Sequence, residues 1–132
     1  MAEQIILITG ASSGFGEACA RKFAAPGNRL ILTARRFERL EQVKDELAEK
    51  CPVHVVQLDV RDRSAVEKTF ASLPQGFDEV DVLVAGGGTS GAPAAYTAAK
   101  EGKKTMVIDM NPGFGGTGTY GGVQSYWGPG GY

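Results

Sequence analysis

The run Ile5-Ile6-Leu7-Ile8-Thr9-Gly10-Ala11-Ser12-Ser13-Gly14-Phe15-Gly16 decides how this chain folds. Four consecutive apolar residues suit a central parallel strand covered on both faces. Gly10 permits a tight turn out of that strand. Gly14 and Gly16 let a diphosphate and the neighbouring backbone come close to the next element. From Gly14 to Ala25 the pattern reads as a helix, stopped by Pro26-Gly27. The first turn of such a helix aims unpaired N–H groups and a positive dipole end at an anion. Strand, glycine bend and helix in that order give the context that holding a phosphate requires.

Outward from this stretch, apolar runs and helical patterns alternate. Arg29 to Ala34 predicts a second strand, and Phe37 to Lys50 a helix with Leu40, Val43 and Leu47 on one face. Val53 to Val60 predicts a third strand, in which His54 is read as solvent-facing. A capping box at Ser64 and Glu67 opens a helix that runs to about Leu73. Val80 to Ala85 and Thr105 to Met110 predict two more strands, with an alanine-rich helix between them from about Ala92 to Glu101. Strict β/α alternation implies right-handed crossovers. The expected fold is therefore a Rossmann-like three-layer α/β/α domain over residues 1–110, its parallel five-stranded sheet ordered 3-2-1-4-5. The remaining residues, 111–132, hold nine of the 19 glycines and several aromatics, and are read as a mobile tail.

Length and composition narrow the function. At 132 residues there is room for one ordinary domain. A net charge of -1 argues against nucleic acid or an anionic membrane as the main partner. No apolar run approaches the roughly 20 residues that span a bilayer. Met1 to Gln4 carries no basic leader, so a cytoplasmic protein is expected. Two cysteines and one histidine predict neither a disulfide framework nor a metal site.

Thr9-Gly10-Ala11-Ser12-Ser13-Gly14-Phe15-Gly16 resembles the T-G-x-x-x-G-x-G mark of short-chain dehydrogenases/reductases, and the likeness runs from about residue 4 to 84. Gly-Phe-Gly-Glu and the run Ala34 to Leu40 are similar to the hydroxy-acid dehydrogenase branch. The resemblance implies that Asp59 and Val60 contact adenine. At the end of the second strand an acid would repel a ribose 2′-phosphate. This chain has Arg35 and Arg36 there, whose guanidinium groups suit a phosphate dianion, so NADP is favoured. The alternative reading is a solvated arginine pair opening a helix.

The family's fourth strand ends Asn-Asn-Ala-Gly, whereas this one ends Ala85-Gly86-Gly87-Gly88. Gly86-x-Gly88-x-x-Gly91, a helix, a strand and then Asp109 form a second dinucleotide fingerprint, with the acid placed for a ribose hydroxyl. From about residue 80 to 132 the chain resembles the N-terminal segment of FAD-dependent oxidoreductases. Residues Gly115 to Thr119 and Gly122 to Trp127 are similar to the stretch beside the flavin. The whole thus resembles a chimera of two families sharing a strand. The first and fourth strands should lie about 5 Å apart. Two dinucleotides would then overlap, and NADP and FAD are not expected to bind together.

Tyr96 and Lys100 match the Tyr-x-x-x-Lys signature of the first family, where lysine lowers the tyrosine pKa for general acid work. In that family the pair lies far downstream with a serine on the preceding strand, so Tyr96 is expected to pack and Lys100 to cover a helix end. Little or no turnover is expected. Glu17 reads as a carboxylate favoured by a helix start. A folded scaffold that binds nothing remains a third reading. The fifth strand, at the sheet edge, suggests a homodimer there or a tail folded over it.

Overall fold

A computed structural model describes residues 3–86, 91–100, 102 and 104–108. Strands β1 (Gln4–Thr9), β2 (Asn28–Ala34), β3 (Val53–Gln57), β4 (Val82–Gly86) and β5 (Lys104–Ile108) alternate with helices α1 (Gly14–Phe23), α2 (Phe37–Leu47), α3 (Arg63–Ala71) and α4 (Gly91–Lys100). The strands form one parallel sheet ordered β3-β2-β1-β4-β5. This is the Rossmann-like α/β arrangement read from the alternation.

Side chains alternate across a strand, so each strand serves two faces. On one face Ile6, Ile8, Leu30, Leu32 and Ala34 pack with Cys19 and Ala20 of α1 and with Leu40, Val43 and Leu47 of α2. Leu7 and Ile31 point the other way and are equally buried, so the opposite face is covered too. The path from β1 to β2 runs in one direction and that from β4 to β5 in the other. Crossovers of one hand then place their helices on opposite faces. Cys19 and Cys51 are free thiols in this core, and burial pushes both pKa values up.

Element ends depart from the pattern for local reasons. α1 stops at Phe23, whose carbonyl accepts from the Asn28 side-chain amide at 2.9 Å. α2 stops at Leu47, not Lys50, because the Leu47 carbonyl takes the N–H groups of both Lys50 and Cys51. β3 ends at Gln57, since the Asp59 carboxylate accepts the Arg61 N–H and turns the chain. The Ser64–Glu67 capping box does not open α3. Asp62 does, accepting the Ala65 N–H at 3.0 Å, and Glu67 is occupied by Arg63. His54 is half-buried, not solvent-facing: Phe77, from the segment before β4, lies against it with ring centroids 5.6 Å apart. Burial, and then the Lys44 charge, lower its pKa. No helix among the described residues is long and apolar enough to cross a membrane. Gly88, Asp109 and the stretch 111–132 lie outside the described residues.

Candidate functional site

The first bend is held open by its backbone. Gly10 and Gly14 take φ of 65° and 56°, the left-handed region that side-chain-bearing residues avoid. A Cβ at either position would meet nothing within 4 Å, so the space before them is free for a ligand. Gly16 is different. Its φ is ordinary, but a Cβ there would fall on the Gly10 carbonyl oxygen, with the carbonyl carbon at 2.7 Å and the Thr9 oxygen at 2.9 Å. Gly16 is therefore the point where α1 presses on the end of β1. The Ala11 N–H donates to the Thr33 carbonyl at 3.1 Å, tying the bend to β2.

Ser13 caps α1 in an extended conformation and makes no side-chain cap. Its helix start thus presents backbone N–H groups in the way anion sites do. Phe15 stands exposed beside them, and Ser12 is buried beneath. From the end of β2, Arg36 Nη2 lies 3.4 Å from the Ser12 carbonyl and 3.4 Å from its hydroxyl. The two arginines therefore part. Arg36 leans onto the bend, while the Arg35 carbonyl accepts from Gln57 at 2.9 Å and the Arg35 charge acts on Asp59.

Just after β3, Asp59 and Arg61 form an ion pair, and Val60 between them is half exposed. Hydrogen bonding from Arg61, foremost, holds the Asp59 carboxyl down at about 2. Glu17 lies in the first turn of α1 as read, and it also accepts from Arg21 at 2.7 Å and lies 3.6 Å from Arg39, which links α1 to α2. Arg61 and the Glu17 network were absent from the expected site. An acid two residues before an arginine was the available signal for Arg61; the link from Glu17 to Arg39 crosses helices and leaves no local trace.

Ile8 pairs with Val84, so Gly86, the last residue of β4, lies on the strand beside β1, just past which Gly10 starts the bend. The structure thus brings Gly10, Ser12, Ser13, Gly14, Phe15, Gly16 and Arg36 to one bend, sets Asp59 within reach of the Arg35 charge with Val60 next to it, and ends β4, the neighbour of β1, at Gly86. Gly91 begins α4, on which Tyr96 and Lys100 lie one turn apart. Tyr96 is 70% exposed and does not pack as expected; Lys100 closes the helix.

The sequence pattern of the short chain dehydrogenase family matches residues 4–119. This chain belongs to the short chain dehydrogenase family. The match runs beyond Val84 and takes in the second glycine cluster, so it supports one family over residues 4–119 and lends no support to a chimera with an FAD-dependent segment. Among the family's characterised members, the sulfoacetaldehyde reductase of Chromohalobacter salexigens is 45% identical over 106 residues, 80% of this chain and 42% of that protein. The NADP-dependent 3-hydroxy acid dehydrogenase YdfG of Escherichia coli (strain K12) is 43% identical over 110 residues, 83% of this chain and 44% of that protein. A solved closed form of serine dehydrogenase complexed with NADP+ superposes with a TM-score of 0.65 at 31% identity, over 89% of this chain and 60% of that one. The chain spans less than half the length of the two curated relatives.

Proposed function

We propose that this chain is the dinucleotide-holding part of an NADP(H)-dependent short-chain oxidoreductase and binds the cofactor at the first bend. The observation that carries this reading is the Arg36 guanidinium resting on Ser12, which sets a fixed positive charge against the glycine cradle. In this reading the N–H groups at the start of α1 receive the diphosphate, and the open space before Gly10 and Gly14 admits it. Arg36, with Arg35 behind it, meets the ribose 2′-phosphate, and Asp59 and Val60 border the adenine. When bound, the nicotinamide supplies or accepts a hydride. The printed cofactor of the YdfG relative and the NADP+ in the solved neighbour support the same choice.

Binding with little or no turnover is part of the proposal: Tyr96, of the Tyr-x-x-x-Lys match, stands exposed on the helix that follows β4. A second reading places FAD at the other bend. It rests on β4, α4 and β5 forming a parallel β-α-β unit whose first strand ends at Gly86. Mutual exclusion of NADP(H) and FAD is part of the proposal, because β1 and β4, which lead to the two glycine clusters, are paired neighbours.

Thermal unfolding with each nucleotide tests the proposal. A ligand at 100 times its Kd stabilises by about 2.7 kcal/mol. NADPH should raise the unfolding temperature well above NADH at equal concentration, and Arg36→Ala should remove the difference. Equal responses to both, or to neither, would overturn the NADP reading. Saturation by FAD unaffected by NADPH would overturn mutual exclusion. NADPH oxidation with small carbonyl compounds, abolished by Tyr96→Phe, would overturn the claim of negligible turnover.

A further inference from the structure

Two ion-pair links join α1 to α2, one at each end of the helices. At the far end, in the last turns, Arg21 Nε donates to Glu46 Oε1 at 2.7 Å and Arg21 Nη2 to Glu46 Oε2 at 2.9 Å. At the near end, in the first turns, Arg39 Nη2 lies 3.6 Å from Glu17 Oε2. Arg21 Nη2 also donates to Glu17 Oε1 at 2.7 Å, so both oxygens of Glu17 are engaged. The Glu17 side chain is 13% exposed, against 48% for Arg39, which makes the carboxylate the fixed point and the arginine the group it holds. Arg36, the N-cap of α2, stands one turn before Arg39. Its two contacts to Ser12, both 3.4 Å, are long for hydrogen bonds and do not by themselves fix a guanidinium.

We propose that Glu17 is a positioning residue for cofactor choice: through Arg39 it holds the first turn of α2, and so Arg36, where a ribose 2′-phosphate is met. This rests on the NADP reading above. As a bare charge, Glu17 is wrong for its place. It lies in the first turn of the helix whose N–H groups would receive the diphosphate, and there it repels an anion. Placement offsets that repulsion. With Arg36 on Ser12 and Arg39 on Glu17, the start of α2 is tied to the phosphate bend at two points and does not roll away from it.

Titrating the full chain with NADPH and NADH tests this, because charge and placement predict different signs. By charge alone, Glu17→Gln removes a negative group and should favour NADPH, the more anionic ligand, whereas Arg39→Gln removes a positive one and should disfavour it. By placement, both substitutions release the start of α2. Both should then cut the ratio of NADPH to NADH affinity by about fivefold, part of the roughly tenfold or more that a hydrogen bond to a charged group is worth. The double variant should lose no more than either single one, since the same link is broken in each. Glu46→Gln opens the far link and should leave the ratio at the parent's value. Arg39 is about half exposed, so Arg39→Gln keeps the test open even where Glu17→Gln perturbs α1. Ratios that move in opposite directions in the two single variants, or that stay at the parent's value, overturn the role of Glu17 while the NADP reading stands. A Glu46→Gln protein that loses the ratio equally also overturns it. If the parent itself does not distinguish NADPH from NADH, the NADP reading and this inference fall together.

Discussion

Gly16→Ala sets two principles against each other. Gly16 lies inside α1, and alanine is ordinarily the better helix former there by about 1 kcal/mol. Its φ is ordinary, so no backbone strain opposes the change. The added methyl, however, would land on the Gly10 carbonyl oxygen, 2.7 Å from its carbon and 2.9 Å from the Thr9 oxygen. These are backbone atoms, held by β1 and by the Ala11–Thr33 hydrogen bond, and no side chain can rotate away. Overpacking costs about 1–3 kcal/mol, and with rigid neighbours we take about 3. Subtracting the helix gain leaves a loss of about 2 kcal/mol. For a domain of this size, that is a fall of roughly 8 °C in unfolding temperature. Urea unfolding measures the loss directly, and NADPH titration should show weakened binding as α1 withdraws from the bend. Gly14→Ala is the contrast, with φ strain of about 1–2 kcal/mol and open space around the methyl. A Gly16→Ala protein as stable as the parent, with undiminished affinity, would refute the close approach of helix to strand.

The start of α3 and the titration of Asp59 offer two further checks. Asp62→Ala should destabilise by about 1 kcal/mol, because it removes the acceptor of the Ala65 N–H, whereas Ser64→Ala should change little; the reverse order in urea unfolding would restore the capping box. Asp59 should titrate at about 2 by carboxyl NMR, and Arg61→Ala should move it toward the ordinary 3.8. Its folded pKa is depressed, so the pair's contribution is complete above 3.8 and is lost as pH falls through about 2. A parent titrating near 3.8 would show the pair to be open in solution.

Much of this was written in local pattern. The continuous apolar run at Ile5 to Ile8 marked a strand buried on both faces, and the spacing of Leu40, Val43 and Leu47 marked the inner face of α2, all three buried as read. Sheet order followed from alternation and handedness alone. The misreadings arose where a distant group decides. Strand alternation assigned His54 to solvent, but Phe77, more than 20 residues away, covers it. The local pattern put the cap at Ser64, whereas the extended backbone at Asp62 and the Ala65 N–H it accepts make Asp62 the cap. Glycine composition could not separate Gly14, needed for its φ, from Gly16, needed for its lack of a side chain. Nor could Arg35-Arg36 reveal that only the second arginine leans on the phosphate bend.

Both glycine clusters stand between a strand and a helix in the sequence, so charge must weigh between them. A helix start carries about half a positive charge, and a diphosphate with a 2′-phosphate brings several negative ones. At the first bend Arg36 stands on the turn itself, and Arg35 sits one residue away, so side chains make up the shortfall. Between Gly86 and Ala99 the sequence contains no charged residue, and Lys100 comes at the far end of α4 from its glycine turn. Any phosphate there would be met by amides and dipole alone. A ligand as anionic as NADP therefore gains more at the end of β1 than at the end of β4. On the proposed reading, β1 and β4 being paired neighbours makes the two clusters rivals for one ligand, and the arginines tip that rivalry toward the first.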